Sequence, residues 1–437
     1  MSIQASVERK ILARLATVIF LLYFLFAVDR GNVGFAGLQI TKALGLSAET
    51  FGLGSGLFTV GYLLFQVPNA VWLRRVGGGR AFGAIACTWG LVSTAAAFVP
   101  DRSWFLVNRF LLGVAEAGFN AFVIYYISLM FPRRLRGFAV GLTLVAVPLS
   151  LIVASPISGM LLNQYFMGFE GWQILFLAEG LPTLVLGILA TKLLPASPQD
   201  IGFLSAEELI WLDGELAHER TGNQSGSARG LKDAFSNSLV WALGYILFTT
   251  VFVVNVMLIW MPQIIKQISH EGNLGVGLLN SVPWLALGVG IVLVSRLSDK
   301  VPSRTSVLSP SLAVAALGFV LSASVQGAHP ALAFAGLVLG SFGGGAAQGV
   351  FWAVAMDRLQ GPSAATAYAV ITVLGNGSGV FAHPLIGKLH DATGSFAGVA
   401  WALAGFNLAA IAVACWVAQR AARPQTEEEG GVLRRTN

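Results

Sequence analysis

Twelve long apolar segments dominate this 437-residue chain and limit what it can fold into. At about 1.5 Å per residue, each is long enough for a helix to cross the ~30 Å hydrocarbon core of a bilayer. They are far longer than the roughly 9–11 residues of a membrane β-strand. The chain is 55% hydrophobic and only 11% charged, which also indicates membrane residence. The segments predict an all-α integral membrane protein with spans at about 13–40, 49–73, 79–99, 104–130, 138–163, 172–194, 238–265, 275–297, 305–326, 330–356, 364–388 and 396–419.

A single long polar stretch separates the first six segments from the last six. Within it, Leu204–Glu219 predicts a short amphipathic surface helix, because Ser205 can act as N-cap with Glu208 three residues later. Two sets of six spans around a central linker are typical of a transporter with its site midway between two halves. The predicted units are a six-helix bundle at 1–194, a cytoplasmic linker at 195–237, a second bundle at 238–420 and a cytoplasmic tail at 421–437.

Basic residues concentrate in alternate loops between the spans. With the N-terminus in the cytoplasm, ten lysines and arginines fall in inner loops and four in outer loops, as the positive-inside rule requires. This predicts a multi-pass protein of the bacterial cell (inner) membrane, with both termini cytoplasmic. The net charge of +6 is explained by these loops, so nucleic acid is not an expected partner. The inner residues are Arg74, Arg75, Arg80, Arg133, Arg134, Arg136, Arg296, Lys300, Arg304 and Arg358; the outer ones are Lys42, Arg102, Lys266 and Lys388.

An aspartate and an arginine stand side by side in the first apolar segment. Asp29 and Arg30 lie near the middle of the run 15–40, which Arg14 and Lys42 flank. Insertion scales put each centred charge at about +2.5 to 3.5 kcal/mol. A helix that served only as an anchor would not need residues with this insertion cost, so the pair predicts a substrate or ion pathway.

The fourth segment carries a second pair of charges. Arg109 and Glu116 are seven residues apart, two helical turns, so they face the same side of the helix. We expect no other charge deep in a span of the N-terminal half. Together with Asp29 and Arg30 the set has two acids and two bases, and a formal charge of zero. An alternative left open is a pair of interhelical ion pairs that only lock the first helix to the fourth.

This set suits a carrier that moves an organic anion together with protons. Arginine offers a planar fork to a carboxylate, so Arg30 and Arg109 are the predicted anion-binding residues. Burial disfavours the charged form of a carboxyl group and a neighbouring arginine favours it, so the protonation of Asp29 and Glu116 can switch. A bound monoanion brings the sum to −1 and one proton restores zero, so anion and proton should bind cooperatively. Protons are the expected coupling ion, and no cofactor is predicted.

Other polar residues in spans carry weaker signals, each balanced by a purely structural alternative. One group is predicted to contact the substrate, with packing as the alternative: Tyr62, Trp352 and Asn376. A second group is expected to form helix–helix hydrogen bonds: Asn255, Gln348 and His383. Neither cysteine spacing nor a nucleophile–base arrangement is present to predict a metal site or an enzyme.

Several motifs resemble one known family. Twelve spans with a central loop and arginine-rich inner loops resemble the major facilitator superfamily, and in detail its anion:cation symporter family, which includes bacterial tartrate, phthalate and sugar-acid permeases. The combination of Asp29-Arg30 with Arg109 and Glu116 is specific to that family, whereas one element alone is not. The matching stretches are 29–32, 109–118, 131–137, 171–182, 351–353, 374–376 and 383–387.

The resemblance implies proton-driven import of an organic anion by alternating access. It implies that Asp29 and Glu116 are the protonatable acids and that Arg30 and Arg109 contact the anion or gate its path. Positions matching Tyr62, Trp352 and Asn376 contact the substrate in sugar-acid members. This chain departs from the pattern at Ala27, at 119–122 and at Gly349, where polar contacts are lost or moved. A less polyhydroxylated acid than a sugar acid becomes plausible on that ground.

These observations predict a monomeric secondary transporter in the lipid bilayer that imports a small carboxylate, such as a sugar acid, a tartrate-like acid or an aromatic acid, with protons. One alternative is an exchanger or exporter of organic anions on the same fold. An alternative of another class is a membrane sensor or scaffold that does not transport. The linker has no recognisable signalling motif, which argues against that second alternative.

Overall fold

The computed structural model describes residues 2–221, 231–359 and 364–422. Over these residues twelve helices are long and apolar enough to cross a membrane, which confirms the predicted all-α membrane fold. We number the spanning helices α1 to α12. Their bounds are Ile3–Ala43, Ala48–Val76, Gly78–Phe98, Arg102–Met130, Arg133–Leu161, Gly171–Leu193, Ser238–Ile259, Asn273–Ser298, Thr305–Val325, Pro330–Arg358, Thr366–Thr393 and Ala397–Arg420.

Several helices extend beyond the apolar segments that predicted them. Helix α1 begins at Ile3 and α5 at Arg133, ahead of their predicted starts at 13 and 138. Polar residues can continue a helix into water because its backbone hydrogen bonds are internal, and hydropathy does not detect this extension. Helix α7 is shorter than predicted: it ends at Ile259, and after Trp260 a separate helix runs over Met261–Ser269.

The two halves share a hydrophobic core at one side of the molecule only. We call the side where α1 begins and α12 ends the terminal side, and the opposite one the far side. At the far side one buried cluster contains residues of both halves, among them Phe51, Phe105, Trp260 and Trp284. At the terminal side each half has its own cluster. The space between the halves is therefore sealed from the far side.

Small residues and hydrogen bonds make this far-side seal. A Cβ on Gly387 of α11 would lie 2.2 Å from the Ala48 carbonyl oxygen of α2, so only glycine allows this approach. Between α5 and α8, Asn273 Nδ2 donates to Asn163 Oδ1 at 3.0 Å, and Asn280 Nδ2 donates to Ser155 Oγ at 2.9 Å. Helices in lipid lack a hydrophobic driving force for association, so close packing and such bonds hold them together.

We expect Gly387→Leu to prevent the far side from closing. The added side chain overlaps the α2 backbone, so the halves must separate there, and net uptake should fall more than tenfold. A cysteine placed at Ser55 should then react faster with an impermeant thiol reagent added from the far side. Gly405→Leu is the control, since a Cβ there meets nothing within 4 Å. Unchanged uptake and unchanged labelling in Gly387→Leu would contradict this role of the contact.

The N-terminal helical turns pack on a helix of the linker, Ala206–Thr221. Glu208 accepts hydrogen bonds from Ser6 Oγ at 2.7 Å and from Lys10 Nζ at 2.8 Å. It also forms a capping box with Ser205, whose backbone N–H donates at 2.8 Å. These donors, Lys10 first, lower the pKa of Glu208 from its usual 4.5 to about 2.

The contact at Glu208 should be lost in acid. A lowered pKa means that its stabilisation is complete above about pH 4.5 and disappears as the pH falls towards 2. At neutral pH, Glu208→Gln should weaken the contact by no more than about 1 kcal/mol, because Lys10 is partly exposed. Spin-label distances between the N-terminal helix and the linker helix measure both effects, with the exposed Glu207→Gln as control. A distance that stays constant from pH 7 to pH 2 would count against this contact.

Candidate functional site

A cavity of about 210 Å³ lies between the two halves. Its walls come from α1, α2 and α4 of the first half and from α7, α10 and α11 of the second. Two arginines and several uncharged polar groups face an otherwise apolar wall. The lining residues are Arg30, Ser55, Phe58, Thr59, Tyr62, Arg109, Val251, Val254, Asn255, Leu258, Ile259, Gln348, Asn376 and His383.

Arg30 is held in the cavity wall by one carboxylate and by aromatic rings. Its Nε donates to Glu116 Oε2 at 2.8 Å. Its guanidinium carbon lies 4.3 Å from the ring centre of Phe26 and 4.6 Å from that of Tyr62, the geometry of cation–π contacts. Nη2 of Arg30 is buried and has no hydrogen-bond partner among the described residues. One edge of the guanidinium is thus occupied, while this nitrogen is free for another acceptor.

Arg109 is the less satisfied of the two cations. It is 2% exposed, yet its Nε and Nη1 have no partner in the described part of the chain. Its guanidinium lies 5.1 Å from the ring centre of Phe58, which also faces Arg30. An unpartnered buried donor costs roughly 1–3 kcal/mol, and more when it is charged. Both nitrogens therefore keep hydrogen-bonding capacity that no described protein group satisfies.

The two acids of the predicted set lie behind the arginines. Asp29 is 1% exposed and Glu116 is fully buried. Ser93 Oγ donates to Asp29 Oδ1, and the carboxyl groups of Asp29 and Glu116 lie within hydrogen-bonding reach of each other. Asp29 Oδ2 and Glu116 Oε1 have no other partner among the described residues. A proton bound by this pair of carboxyl groups would supply a donor that the pair lacks when both are ionised.

Two of the helices that form the site are interrupted within their spans. Helix α4 is interrupted after Glu116, where Gly118 takes a left-handed φ of 88°. A Cβ at Gly118 would come within 2.8 Å of the Ala70 backbone nitrogen. Glycine is therefore required both for the left-handed backbone and for this close approach. Helix α11 is interrupted at Gly377, directly after Asn376. Interrupted helices within a bilayer are tolerated where the freed backbone groups lie inside the protein or line a cavity.

The structure brings four of the five predicted anion-contacting residues to the cavity. Arg30, Arg109, Tyr62 and Asn376 line it. Trp352 does not: it is 37% exposed and its ring lies 6.3 Å from that of Tyr368. It follows Gln348, a lining residue, by one turn of α10 towards the terminal side.

Two residues that the sequence interpretation placed outside the site belong to it or adjoin it. His383 lines the cavity and its Nδ1 has no partner among the described residues, so the expected helix–helix hydrogen bond is absent at that atom. Glu179 of α6 is a further buried acid, 9% exposed. The expectation of no other deep charge in the first half is therefore wrong. The sequence signal for Glu179 was its position inside the predicted span 172–194.

Asn255 and Gln348 were also expected to serve helix contacts. Asn255 Nδ2 does donate to Ser378 Oγ at 3.1 Å, which joins α7 to α11. Both residues line the cavity as well. A polar side chain in a membrane span can thus contribute to packing and still present polar atoms to a ligand.

The fold and the cavity together define a membrane transporter built from two six-helix halves. The family model described as the Major Facilitator Superfamily matches residues 19–384 and 273–435. The chain belongs to that superfamily, which confirms the resemblance seen in its motifs. The family and the relatives below are transporters, so the prediction that the chain is not an enzyme is also confirmed.

Curated relatives of similar length extend the comparison. A protein of Agrobacterium vitis with the provisional name of tartrate transporter is 37% identical over 93% of this chain and 90% of its own length. NicT of Pseudomonas putida, provisionally a metabolite transport protein, is 34% identical over 91% of both chains. The solved inward-open structure of the xylose transporter XylE from E. coli superposes with a TM-score of 0.73 at 14% identity. It covers 92% of this chain and 94% of XylE, and it shows the fold alone.

Proposed function

We propose that this transporter imports a small organic anion together with protons, by alternating access. The observation that supports this most is the state of Arg109, a buried arginine at the cavity wall with two N–H-bearing nitrogens that lack partners among the residues the structure describes. An anionic substrate is the simplest group that completes its hydrogen bonds. Arg30, whose Nη2 is also free, lies on the same wall.

The lining favours a small carboxylate as substrate. A carboxylate can accept from Arg109 and from Arg30 Nη2, which gives charge-assisted bonds in a site shielded from bulk water. Asn255, Gln348 and His383 supply a few polar contacts, and aliphatic residues of α7 cover the rest of the wall. This mixture suits a sugar acid, a tartrate-like acid or an aromatic acid. The name of the Agrobacterium relative supports a hydroxy acid within that range.

Proton coupling follows from competition for Arg30. While Glu116 is ionised, its Oε2 occupies Arg30 Nε at 2.8 Å. A proton on Glu116 weakens that ion pair and makes the guanidinium available to the anion. The bound anion in turn favours the protonated form of Glu116, because its negative charge raises the free energy of a nearby ionised carboxylate. Asp29, within reach of Glu116, shares in this proton binding.

The site must be electrically neutral before the transporter can reorient it from one side of the membrane to the other. With anion and proton bound, the four-charge set and its ligand again sum to zero, so the halves can rearrange without an unbalanced charge in the bilayer. We place the terminal side in the cytoplasm of a bacterial cell, with both termini inside and the inner membrane as location. The protein then acts as a monomer whose far side faces outward. Trp352, on the terminal side of the cavity, would contact the anion on its way to the cytoplasm.

Uptake into proteoliposomes tests the proposal. The panel contains labelled tartrate isomers, aldonates, other hydroxy acids, dicarboxylates and aromatic acids. Uptake is driven by an imposed pH gradient, with the inside of the proteoliposomes alkaline. We expect accumulation of one chemical group above its equilibrium level, and its loss when a protonophore collapses the gradient. If counterflow were unchanged by the protonophore and no acid accumulated, the result would contradict symport and favour exchange.

A further inference from the structure

A third buried carboxyl group lies behind the cavity, outside its lining. Glu179 of α6 accepts from Ser158 Oγ of α5 at 3.4 Å through its Oε1. Its Oε2 is buried with no partner among the described residues. The proposed coupling between Arg30 and Glu116 does not use this group.

An asparagine connects Glu179 to the coupling site. Asn32 is 1% exposed and stands one turn after Asp29 on α1. Its Nδ2 donates to Asp29 Oδ1 at 3.4 Å, and its side chain lies next to Glu179 without a hydrogen bond between the two in the described structure. Oδ1 of Asn32 has no partner among the described residues. Buried polar side chains therefore extend from Glu116 through Asp29 and Asn32 to Glu179, and the last step, from Asn32 to Glu179, is a contact without a hydrogen bond.

Among the described residues, no cation pairs with Glu179. Helix α1 presents Asp29 and Asn32 to it, and α5 presents Ser158; α3 packs along α6 through Gly90 and Gly180. Asp29 is thus the ionisable group that faces Glu179, and it carries the same sign. Over residues 2–221, 231–359 and 364–422, no salt bridge involves Glu179. An ionised carboxylate buried without a counter-ion is strongly disfavoured.

We propose that Glu179 binds a second proton of the transport cycle, and that Asn32 links this proton to Asp29. The inference rests on the proposed function and adds a site to it. A proton from water adds to the carboxylate and returns to water on the other side of the membrane. While bound, it gives a donor to a cluster in which Asp29 Oδ2, Asn32 Oδ1 and Glu179 Oε2 otherwise lack partners.

Charge counting gives two bound protons in the loaded, neutral carrier. With Glu179 included, the set has three acids and two arginines, and its formal charge is −1 when all are ionised. A bound monoanion brings the sum to −2. One proton at the Asp29–Glu116 pair and one at Glu179 restore zero, the condition proposed above for the change of sides.

Glu179→Gln tests the site with a neutral side chain of the same shape. We would measure proton uptake per bound anion with an indicator dye, and the slope of log half-saturation against pH in counterflow, using the carboxylate that accumulates best in the uptake panel. In Glu179→Gln we expect one proton fewer per anion and a slope smaller by one. Glu170→Gln, the same chemical change at an exposed position before α6, is the matched control and should keep the values of the unmodified protein.

The outcomes separate the two proposals. If the unmodified protein takes up no proton with any anion, the proposed symport itself is wrong. If it does, and Glu179→Gln has the same proton count and slope as Glu170→Gln, only the site at Glu179 is overturned. Should Glu179→Gln fail to fold, Asn32→Ala cuts the link with both carboxyl groups in place. It should also lose one coupled proton, and an unchanged count there would equally overturn the inference.

Discussion

Glu116→Gln should reduce accumulation driven by a gradient of one pH unit at least tenfold. Each coupled proton contributes a factor of ten per pH unit, and glutamine cannot release or bind the proton that Glu116 exchanges. Arg30 also loses its anionic partner, so the affinity for the anion at alkaline pH should rise. Label counterflow, which needs no net proton movement, should persist.

Uptake and counterflow measured side by side check this result. Glu170→Gln again serves as the matched exposed control. The combination of lost accumulation and retained counterflow distinguishes an uncoupled carrier from a misfolded one. Accumulation equal to that of the unmodified protein would remove Glu116 from the coupling mechanism and would favour the alternative in which it only locks α1 to α4.

Arg109→Lys should weaken anion binding by a factor of about thirty to several hundred. Truncating one partner of a buried charge pair costs about 2–5 kcal/mol, and lysine, which keeps the charge but loses the planar fork, should fall in the lower part of that range. Half-saturation in counterflow should therefore rise while the dependence on pH remains.

The control for this change is Arg102→Lys, an exposed arginine at the start of the same helix. Binding of the anion, followed by quenching of intrinsic tryptophan fluorescence, gives an affinity that does not depend on turnover. Equal affinities for Arg109→Lys and Arg102→Lys would show that the free nitrogens of Arg109 are not the anion site.

The sequence reveals charged residues in this fold more readily than neutral ones. Asp29, Arg30, Arg109 and Glu116 stand out because each is costly in a bilayer, and the structure places all four within one connected cluster. Neutral residues such as Asn255 and Gln348 carry little insertion cost, so hydropathy does not separate ligand contacts from helix contacts. Which of them face the cavity depends on helix rotation, and only the fold determines that.

Glu179 and His383 were missed for a different reason. The other charged residues of their helices, Lys192 on α6 and Lys388 and Asp391 on α11, lie near the helix ends. The search for charge pairs deep in a span therefore passes over Glu179 and His383. Glu179 meets Asp29 only through the packing of α6 against α1, and His383 reaches the cavity only because α2 and α11 approach so closely at Gly52. Helix packing of this kind leaves no periodic signal in the chain.

Proton influx into proteoliposomes holding an internal pH dye tests the central claim, that anion and proton move together. Carboxylates of the same panel are added outside, with no imposed gradient, to the unmodified protein. We predict internal acidification with one chemical group of acids, and none with the corresponding amides. Labelled uptake of an anion by folded protein with no acidification would contradict the account and leave exchange as the mode of transport.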